Sequence, residues 1–89
     1  MSVKVIVSFT VSDFDEWKFQ FDAGESVRSA ADIHMVAHRN VDDPNNAWAI
    51  GTAPSKEAFL SVLLSPEAQE RIRQAGVTAP PNVYFLESA

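Results

Sequence analysis

Residues 33–53, with the sequence IHMVAHRNVDDPNNAWAIGTA, decide the fold. Residues 33–41 are rich in β-branched and small residues and lack an apolar stripe at helical spacing, which is typical of a strand. Residues 42–46, DDPNN, are a dense turn signal. Residues 47–53 alternate large and small side chains and carry no charge on either face. The segment therefore predicts two antiparallel strands joined by a turn, with the second strand apolar on both sides.

The residues before this hairpin predict a strand followed by a long helix. Residues 3–11 have β-branched side chains at most positions and a period of two, as a strand does. Asp13 followed by Glu16 forms a capping-box-like start, and the sequence predicts a helix over residues 13–30. One face of this helix carries a stripe at steps of three and four, which consists of Phe14, Trp17, Phe21, Gly24 and Arg28.

The residues after the hairpin predict a second helical region and a last strand. Pro54-Ser55 begins the helical region, Ser65-Pro66 restarts it as a further segment, and Gly76 stands where a left-handed cap belongs. Residues 83–86 predict a short strand. The order β-α-β-β-α-β predicts an α+β, ferredoxin-like fold, in which both helical regions cover one face of a four-stranded antiparallel sheet.

Size and composition limit the partners of the chain. Its 89 residues predict one domain, residues 1–89, whose core alone gives a small stability margin. Because the third strand is apolar on both sides, the open sheet face should meet an identical subunit, and we predict a homodimer. The net charge of -5 disfavours nucleic acid. The absence of cysteine and of a long apolar run favours a cytoplasmic protein with no membrane contact.

Two histidines four residues apart, His34 and His38, are the candidates for proton chemistry. On a helix they could share a metal ion, but on a strand they lie about 13 Å apart, and no third ligand is evident. We therefore predict no metal site. Either histidine could act as a general acid or base, with Asn40 on the same strand face binding a substrate oxygen. The alternative is a histidine whose hydrogen bonds are satisfied at a sheet edge or dimer interface.

Aromatic and cationic side chains are the candidates for substrate binding. Trp17 and Phe21 could hold a flat aromatic ligand whose carboxylate or enolate pairs with Arg28. The alternative places the two aromatic residues in the core and Arg28 in a surface or intersubunit ion pair. Trp48 could form a wall of a barrel or of a pocket. Tyr84 could donate a proton or cap the sheet with its hydroxyl in water.

Two further polar clusters have a structural interpretation. The acidic and amide residues of the predicted turn lack the closing glutamate that a calcium loop needs, so turn chemistry explains Asp42, Asp43 and Asn45. Paired charges at helical spacing indicate a solvated helix face in the second helical region, formed by Glu67, Glu70, Arg71 and Arg73.

Four segments together resemble the antibiotic biosynthesis monooxygenase-like proteins of the dimeric α+β barrel superfamily: DFDEWKFQFD (13–22), HRNVDDPNNAW (38–48), SPEAQERIRQAGV (65–77) and PPNVYFLES (80–88). The resemblance implies a barrel made by the sheets of two subunits. It also implies a pocket in each subunit between helices and sheet, lined by Trp17, Phe21 and Arg28. The group includes cofactor-free oxygenases, polyketide cyclases, lactone isomerases and haem enzymes.

Two functions remain open at this point. The first is an enzyme without metal or organic cofactor that acts on an apolar or aromatic, polyketide-like substrate. In that case His38 or His34 would transfer a proton while Arg28 or Asn40 stabilises an oxyanion, in a cyclisation, an isomerisation or a cofactor-free oxidation. The alternative is a non-catalytic dimeric module for metabolite binding or assembly.

Overall fold

The structure, a computed structural model, describes residues 2–89 and has the predicted order of elements. The elements are β1 (Val3–Thr10), α1 (Phe14–Ala23), α2 (Glu25–Ala30), β2 (His34–Asn40), β3 (Asp43–Ala53), α3 (Lys56–Leu63), α4 (Pro66–Gln74) and β4 (Asn82–Leu86). The strands form one antiparallel sheet in the order β2-β3-β1-β4. The predicted ferredoxin-like fold is confirmed, and each helical crossover consists of two helices. No helix within residues 2–89 combines the length and hydropathy needed to cross a bilayer.

The period-two pattern of the strands divides the sheet into a face that the helices cover and an open face. Val5, Val7 and Phe9 of β1 lie under the helices and are buried. Burying one such side chain contributes about 1.5–3 kcal/mol, so this face supplies most of the hydrophobic stabilisation. The open face consists of the alternate residues Lys4, Ile6, Ser8, Thr10, His34, Val36, His38, Asn40, Asn46, Trp48, Ile50, Thr52, Asn82, Tyr84 and Leu86.

The structure divides the predicted helix over residues 13–30 at Gly24. Asp13 is the N-cap of α1, as predicted, and its side chain accepts hydrogen bonds from the backbone N–H groups of Asp15 and Glu16. The Gly24 N–H donates to the Phe21 carbonyl at 3.2 Å, which is the tighter i to i−3 bond of a helix end. The stripe of apolar residues continues across this break, so periodicity alone does not reveal it.

The hairpin also differs from its predicted form. The strand β3 begins at Asp43 instead of Ala47, and Asn40 pairs directly with Asp43. Asn45 bonds to Val11, the residue after β1: the Val11 N–H donates to the Asn45 carbonyl at 2.8 Å, and Asn45 Nδ2 donates to the Val11 carbonyl at 2.9 Å. Residues that usually make turns thus extend β3 along the end of β1.

Glycine and aspartate take left-handed backbone conformations at two helix ends. Gly76 has φ 76°, which confirms the predicted cap after α4. Asp32 has φ 60° at the end of α2, where the Asp32 N–H donates to the Ser29 carbonyl and the Ile33 N–H donates to the Arg28 carbonyl. These two bonds form a Schellman motif with aspartate at the position that glycine usually occupies.

Candidate functional site

A cavity of about 100 Å³ lies between the helices and the covered face of the sheet. Its floor consists of apolar strand and loop residues, among them Val7, Ile33, Met35 and Ala49. Its walls come from the four helices and include Trp17, Phe21, Phe59, Val62, Leu63 and Ile72. A space of this size accepts about one aromatic ring, and the cavity is partly open to solvent, so a larger molecule could extend outward.

Trp17 belongs both to the core and to the cavity wall. The residue is 3% exposed, and its ring centroid lies 5.1 Å from that of Phe21, with 25° between the ring planes. Phe9 and Phe14 pack on the same indole at 5.3 and 5.5 Å. The two interpretations of the aromatic stripe are therefore compatible, because the same rings stabilise the domain and present a flat apolar surface to the cavity.

Arg28 is the most constrained charged residue of the cavity. Its side chain is 14% exposed, its Nη2 donates to the Phe21 carbonyl at 2.8 Å and to Glu25 Oε2 at 3.1 Å, and its Cζ lies 3.9 Å from the centre of the Phe21 ring. The first hydrogen bond satisfies a carbonyl at the end of α1. Burial lowers the pKa of the Arg28 guanidinium from its ordinary value, while the hydrogen bond to Glu25 opposes that effect.

Arg28 Nε is buried and has no hydrogen-bond partner within residues 2–89. A buried donor without an acceptor costs about 1–3 kcal/mol, and more when it belongs to a charged group. The folded chain therefore carries an unmet hydrogen-bond donor beside an apolar cavity. Nε is enclosed by the chain, so a ligand in the cavity does not reach it without a movement of the side chain.

Arg71, on α4, is a second cation in the cavity lining. The sequence-based interpretation of Arg71 as part of a solvated face is wrong, since its side chain is half-buried. Its charge helps to lower the pKa of Arg28, although less than burial does. A signal was present in the sequence, because Arg71 lies three residues after Ala68 and four before Ala75, on the edge of the apolar stripe.

Gln20 is the third polar residue of the lining and was also missed from sequence. It lies three residues after Trp17 and four before Gly24, so it shares the aromatic stripe of the first helical region. The polar side chains found in this lining, within the described part of the chain, are Gln20, Arg28 and Arg71. The arrangement can hold an anion and donate hydrogen bonds, and it offers neither a carboxylate nor an imidazole to take up a proton.

The structure separates the predicted site residues into two groups. Trp17, Phe21 and Arg28 line the cavity, as the resemblance implies. The other five predicted residues, His34, His38, Asn40, Trp48 and Tyr84, lie on the open face, with the sheet between them and the cavity. The catalytic and binding roles of these five residues stay predictions. Within one subunit, any such role belongs to the open face and not to the cavity.

The histidines of the open face lie apart from each other. His34 is paired with Thr52, and its Nε2 lies 2.9 Å from Asp32 Oδ1. His38 is exposed and lies opposite Trp48 on the neighbouring strand. No three His, Asp or Glu side chains of residues 2–89 converge as ligands for a metal ion.

Asn46 organises the polar end of the open face and was not singled out from sequence. Its Oδ1 accepts hydrogen bonds from Asn40 Nδ2 at 2.9 Å and from Trp48 Nε1 at 2.7 Å. Its Nδ2 donates to Ser8 Oγ at 3.0 Å and to the Phe9 carbonyl at 3.1 Å. This network fixes the indole of Trp48 and the amide of Asn40 in place.

Solved structures match the chain over nearly its whole length. SnoaB, a cofactor-independent oxygenase from Streptomyces nogalater, is 17% identical with a TM-score of 0.74, and the match covers 99% of this chain and 95% of SnoaB. A candidate antibiotic biosynthesis monooxygenase from Bordetella bronchiseptica is 15% identical with a TM-score of 0.80, covering 99% and 97%. Rv0793 from Mycobacterium tuberculosis is 20% identical with a TM-score of 0.73, covering 100% and 96%.

These likenesses establish the fold. The chain has the fold of the antibiotic biosynthesis monooxygenase-like proteins, as the four segments of the sequence indicated. No protein-family model matches the chain, and no curated protein is similar enough in sequence to match it. The site residues must therefore be argued from the geometry of this chain.

Proposed function

We propose that the chain is a small-molecule enzyme that works without metal or organic cofactor on an apolar or aromatic, polyketide-like anion bound in the cavity. The observation that carries the proposal is the Arg28 guanidinium in the lining of an apolar, ring-sized space, stacked on the Phe21 ring. A guanidinium in a partly dry site stabilises a developing anion more strongly than it would in water. The fold shared with SnoaB, a cofactor-independent oxygenase, supports oxidation among the three reactions considered.

Oxidation fits this lining because it requires no positioned acid or base from the protein. An activated methylene of the substrate loses its proton to the bulk solvent at the open side of the cavity, and the resulting enolate lies inside against Arg28. The anion supplies the electrons that reduce O₂, and a carbon–oxygen bond forms. In the overall reaction the CH₂ group and O₂ give a C=O group and H₂O, so one oxygen atom enters the product and the other leaves as water. Apolar walls that exclude water protect the reactive anion.

The proposed cavity chemistry does not use His38 or His34, because the sheet separates both from the cavity. A catalytic role for them requires a substrate bound at the open face, inside the barrel that two subunits would form. We expect His38→Ala to leave turnover in the cavity unchanged. A large loss of turnover in a folded, dimeric variant would move the reaction to the open face.

The open face supports the predicted homodimer. Val36, Ile50, Ile6 and Tyr84 are direct neighbours across all four strands and form an apolar row on that face. Val36 and Tyr84 are 60% and 53% exposed in the single chain. An apolar row that crosses a whole sheet matches the face of a second copy, and the two sheets would close the barrel.

The test of the proposed function measures oxygen consumption with a panel of naphthols, hydroxyanthrones and related acids, with a chelator present. Under ¹⁸O₂ we expect one labelled oxygen atom in the product. Val62→Phe should abolish turnover, since it fills the cavity, while Val41→Phe adds the same ring at a site that is 98% exposed. Equal loss in both variants would contradict the proposal. Saturable binding without oxygen consumption would favour the alternative, a metabolite-binding module.

A further inference from the structure

We infer that Arg28 and Arg71 together form a two-guanidinium site for a carboxylate, so that the ligand of the cavity is a carboxylic acid with an aromatic or otherwise apolar body. The inference rests on the proposed function for the position of the ligand. It goes further by naming the charged group that the ligand carries and the second residue that binds it.

The two guanidinium groups converge on one point of the backbone. A Cβ atom placed on Gly24 would lie 3.0 Å from Arg28 Nη1 and 3.0 Å from Arg71 Nε, so these nitrogens are at most 6.0 Å apart. Charge-assisted hydrogen bonds from nitrogen to a carboxylate are about 2.8 Å long, and one carboxylate can therefore reach both groups.

Gly24 is the residue that permits this approach. Its φ is −88°, an ordinary helical value that any residue adopts, so the glycine is not required by its backbone conformation. What distinguishes the position is space, because a side chain there would press on both guanidinium groups. The break between α1 and α2 thus brings Arg28 beside Arg71 of α4.

The positive charges of Arg28 and Arg71 are not matched by an equal number of paired carboxylates. Arg28 has one carboxylate in hydrogen-bond contact, Glu25, whose side chain is 57% exposed, and a second carboxylate, Asp22, acts on it at longer range. For Arg71, the described side chains include no salt-bridge or hydrogen-bond partner. Two neighbouring cations that face a low-dielectric space repel each other, and a bound anion removes that repulsion.

The planar fork of a guanidinium favours a carboxylate over other anions. Arginine binds planar two-oxygen groups in a bidentate manner, and Arg28 Nη1 and Arg71 Nε, one from each guanidinium, lie close to the same point. The stacked rings of Trp17 and Phe21 lie on the same lining and would contact the apolar body of the same molecule.

The experiment compares naphthalene-2-carboxylate with naphthalene-2-carboxamide by calorimetry on the full chain. The two probes have nearly the same shape and differ in charge. We expect the acid to bind at least about tenfold more tightly than the amide, the difference that one charge-assisted hydrogen bond supplies. Arg71→Gln should remove most of that preference and leave the affinity for the amide unchanged.

The matched control is Arg73→Gln, which removes the same charge from the same helix. Arg73 is 76% exposed in its side chain and pairs with Glu70 on the surface. Gly24→Ala is a second test, because it keeps both charges and requires the ends of both arginine side chains to shift by a few tenths of an ångström. We expect it to reduce the preference for the acid less than Arg71→Gln does. If an arginine variant fails to fold, Gly24→Ala still tests the site.

Three results would overturn the inference. If the acid and the amide bind equally well to the wild-type chain, the carboxylate site is refuted while the cavity and the proposed function stand. If Arg73→Gln weakens acid binding as much as Arg71→Gln, long-range charge explains the effect. If inorganic phosphate competes as strongly as benzoate, the pair is an unselective anion site. Failure of both naphthalene probes to bind would instead count against the proposed function.

Discussion

Replacing Arg28 by methionine distinguishes a ligand-binding residue from a structural one. Methionine has a similar length and can keep an apolar and sulfur contact with the Phe21 ring. The variant loses the hydrogen bond from Nη2 to the Phe21 carbonyl and the pair with Glu25. It also removes the buried Nε that has no acceptor and the repulsion from Arg71. The two groups of terms have opposite signs.

The magnitudes nearly cancel in the free energy of unfolding. A hydrogen bond from a charged donor contributes about 1.5–3 kcal/mol, and the exposed pair with Glu25 adds about 0.5 kcal/mol. Removal of the unmet donor raises the free energy of unfolding by about 1–3 kcal/mol, and relief of the repulsion between the two arginines raises it further. The Phe21 carbonyl still accepts from the Gly24 N–H, so it is not left unpaired. We expect Arg28→Met to lie within about 1 kcal/mol of wild type.

The assay is urea unfolding at one fixed protein concentration, because subunit association would add to the measured stability. It is paired with calorimetric binding of naphthalene-2-carboxylate. The expected result is near-native stability together with loss of acid binding. A destabilisation above about 3 kcal/mol would refute the reasoning, since it would mean that Arg28 is a required support of the break at Gly24. Unchanged acid binding would refute its role at the cavity.

Three other substitutions test separate parts of the structure. Gly51→Ala should cost about 3 kcal/mol in urea unfolding, because the new Cβ would lie 1.8 Å from the His34 carbonyl oxygen, and a cost below 1 kcal/mol would contradict this contact. Asp32→Gly should stabilise the chain by about 0.5–1 kcal/mol, because the backbone φ of 60° at this position favours glycine. A loss of stability would show that the contacts of the Asp32 side chain outweigh the backbone strain. Ile50→Lys should convert the proposed dimer to a monomer in light scattering, whereas Val41→Lys should not, and a dimer in both would exclude the open face as the interface.

The sequence predicted the architecture because its patterns are long and agree with one another. Residues 3–11 alternate throughout, the first helical region has a clear stripe, and Gly76 occupies the cap position. The boundaries failed where side chains acted on distant backbone. The Asn45 side chain donates to the carbonyl of Val11, just after β1 and 34 residues away in sequence, and no local turn rule contains that information.

The faces of the strands were harder to assign than the strands themselves. In β2, His34, His38 and Asn40 share one face while Met35 and Ala37 share the other, and the sequence leaves open which set meets the helices. A shift of one residue in the pairing of a strand exchanges its two faces. In this sheet the pairing of β2 with β3 itself shifts between Arg39 and Asn40. The predicted catalytic histidines and the predicted Arg28 were therefore placed in one site that the structure divides into two.

The pair of arginines is a conflict that stability does not explain. A chain selected only to fold would fill the space beside Trp17 and Phe21 with a leucine or methionine, which meets every requirement of a core. Instead this chain places two cations there, one with a buried donor that has no partner, and gives up a side chain at Gly24 so that they can approach each other. Local costs of this kind occur where a site is built for a ligand. An anion between the two guanidinium groups would offset their repulsion and give a reason for the space at Gly24, whereas a purely structural account needs a separate reason for each.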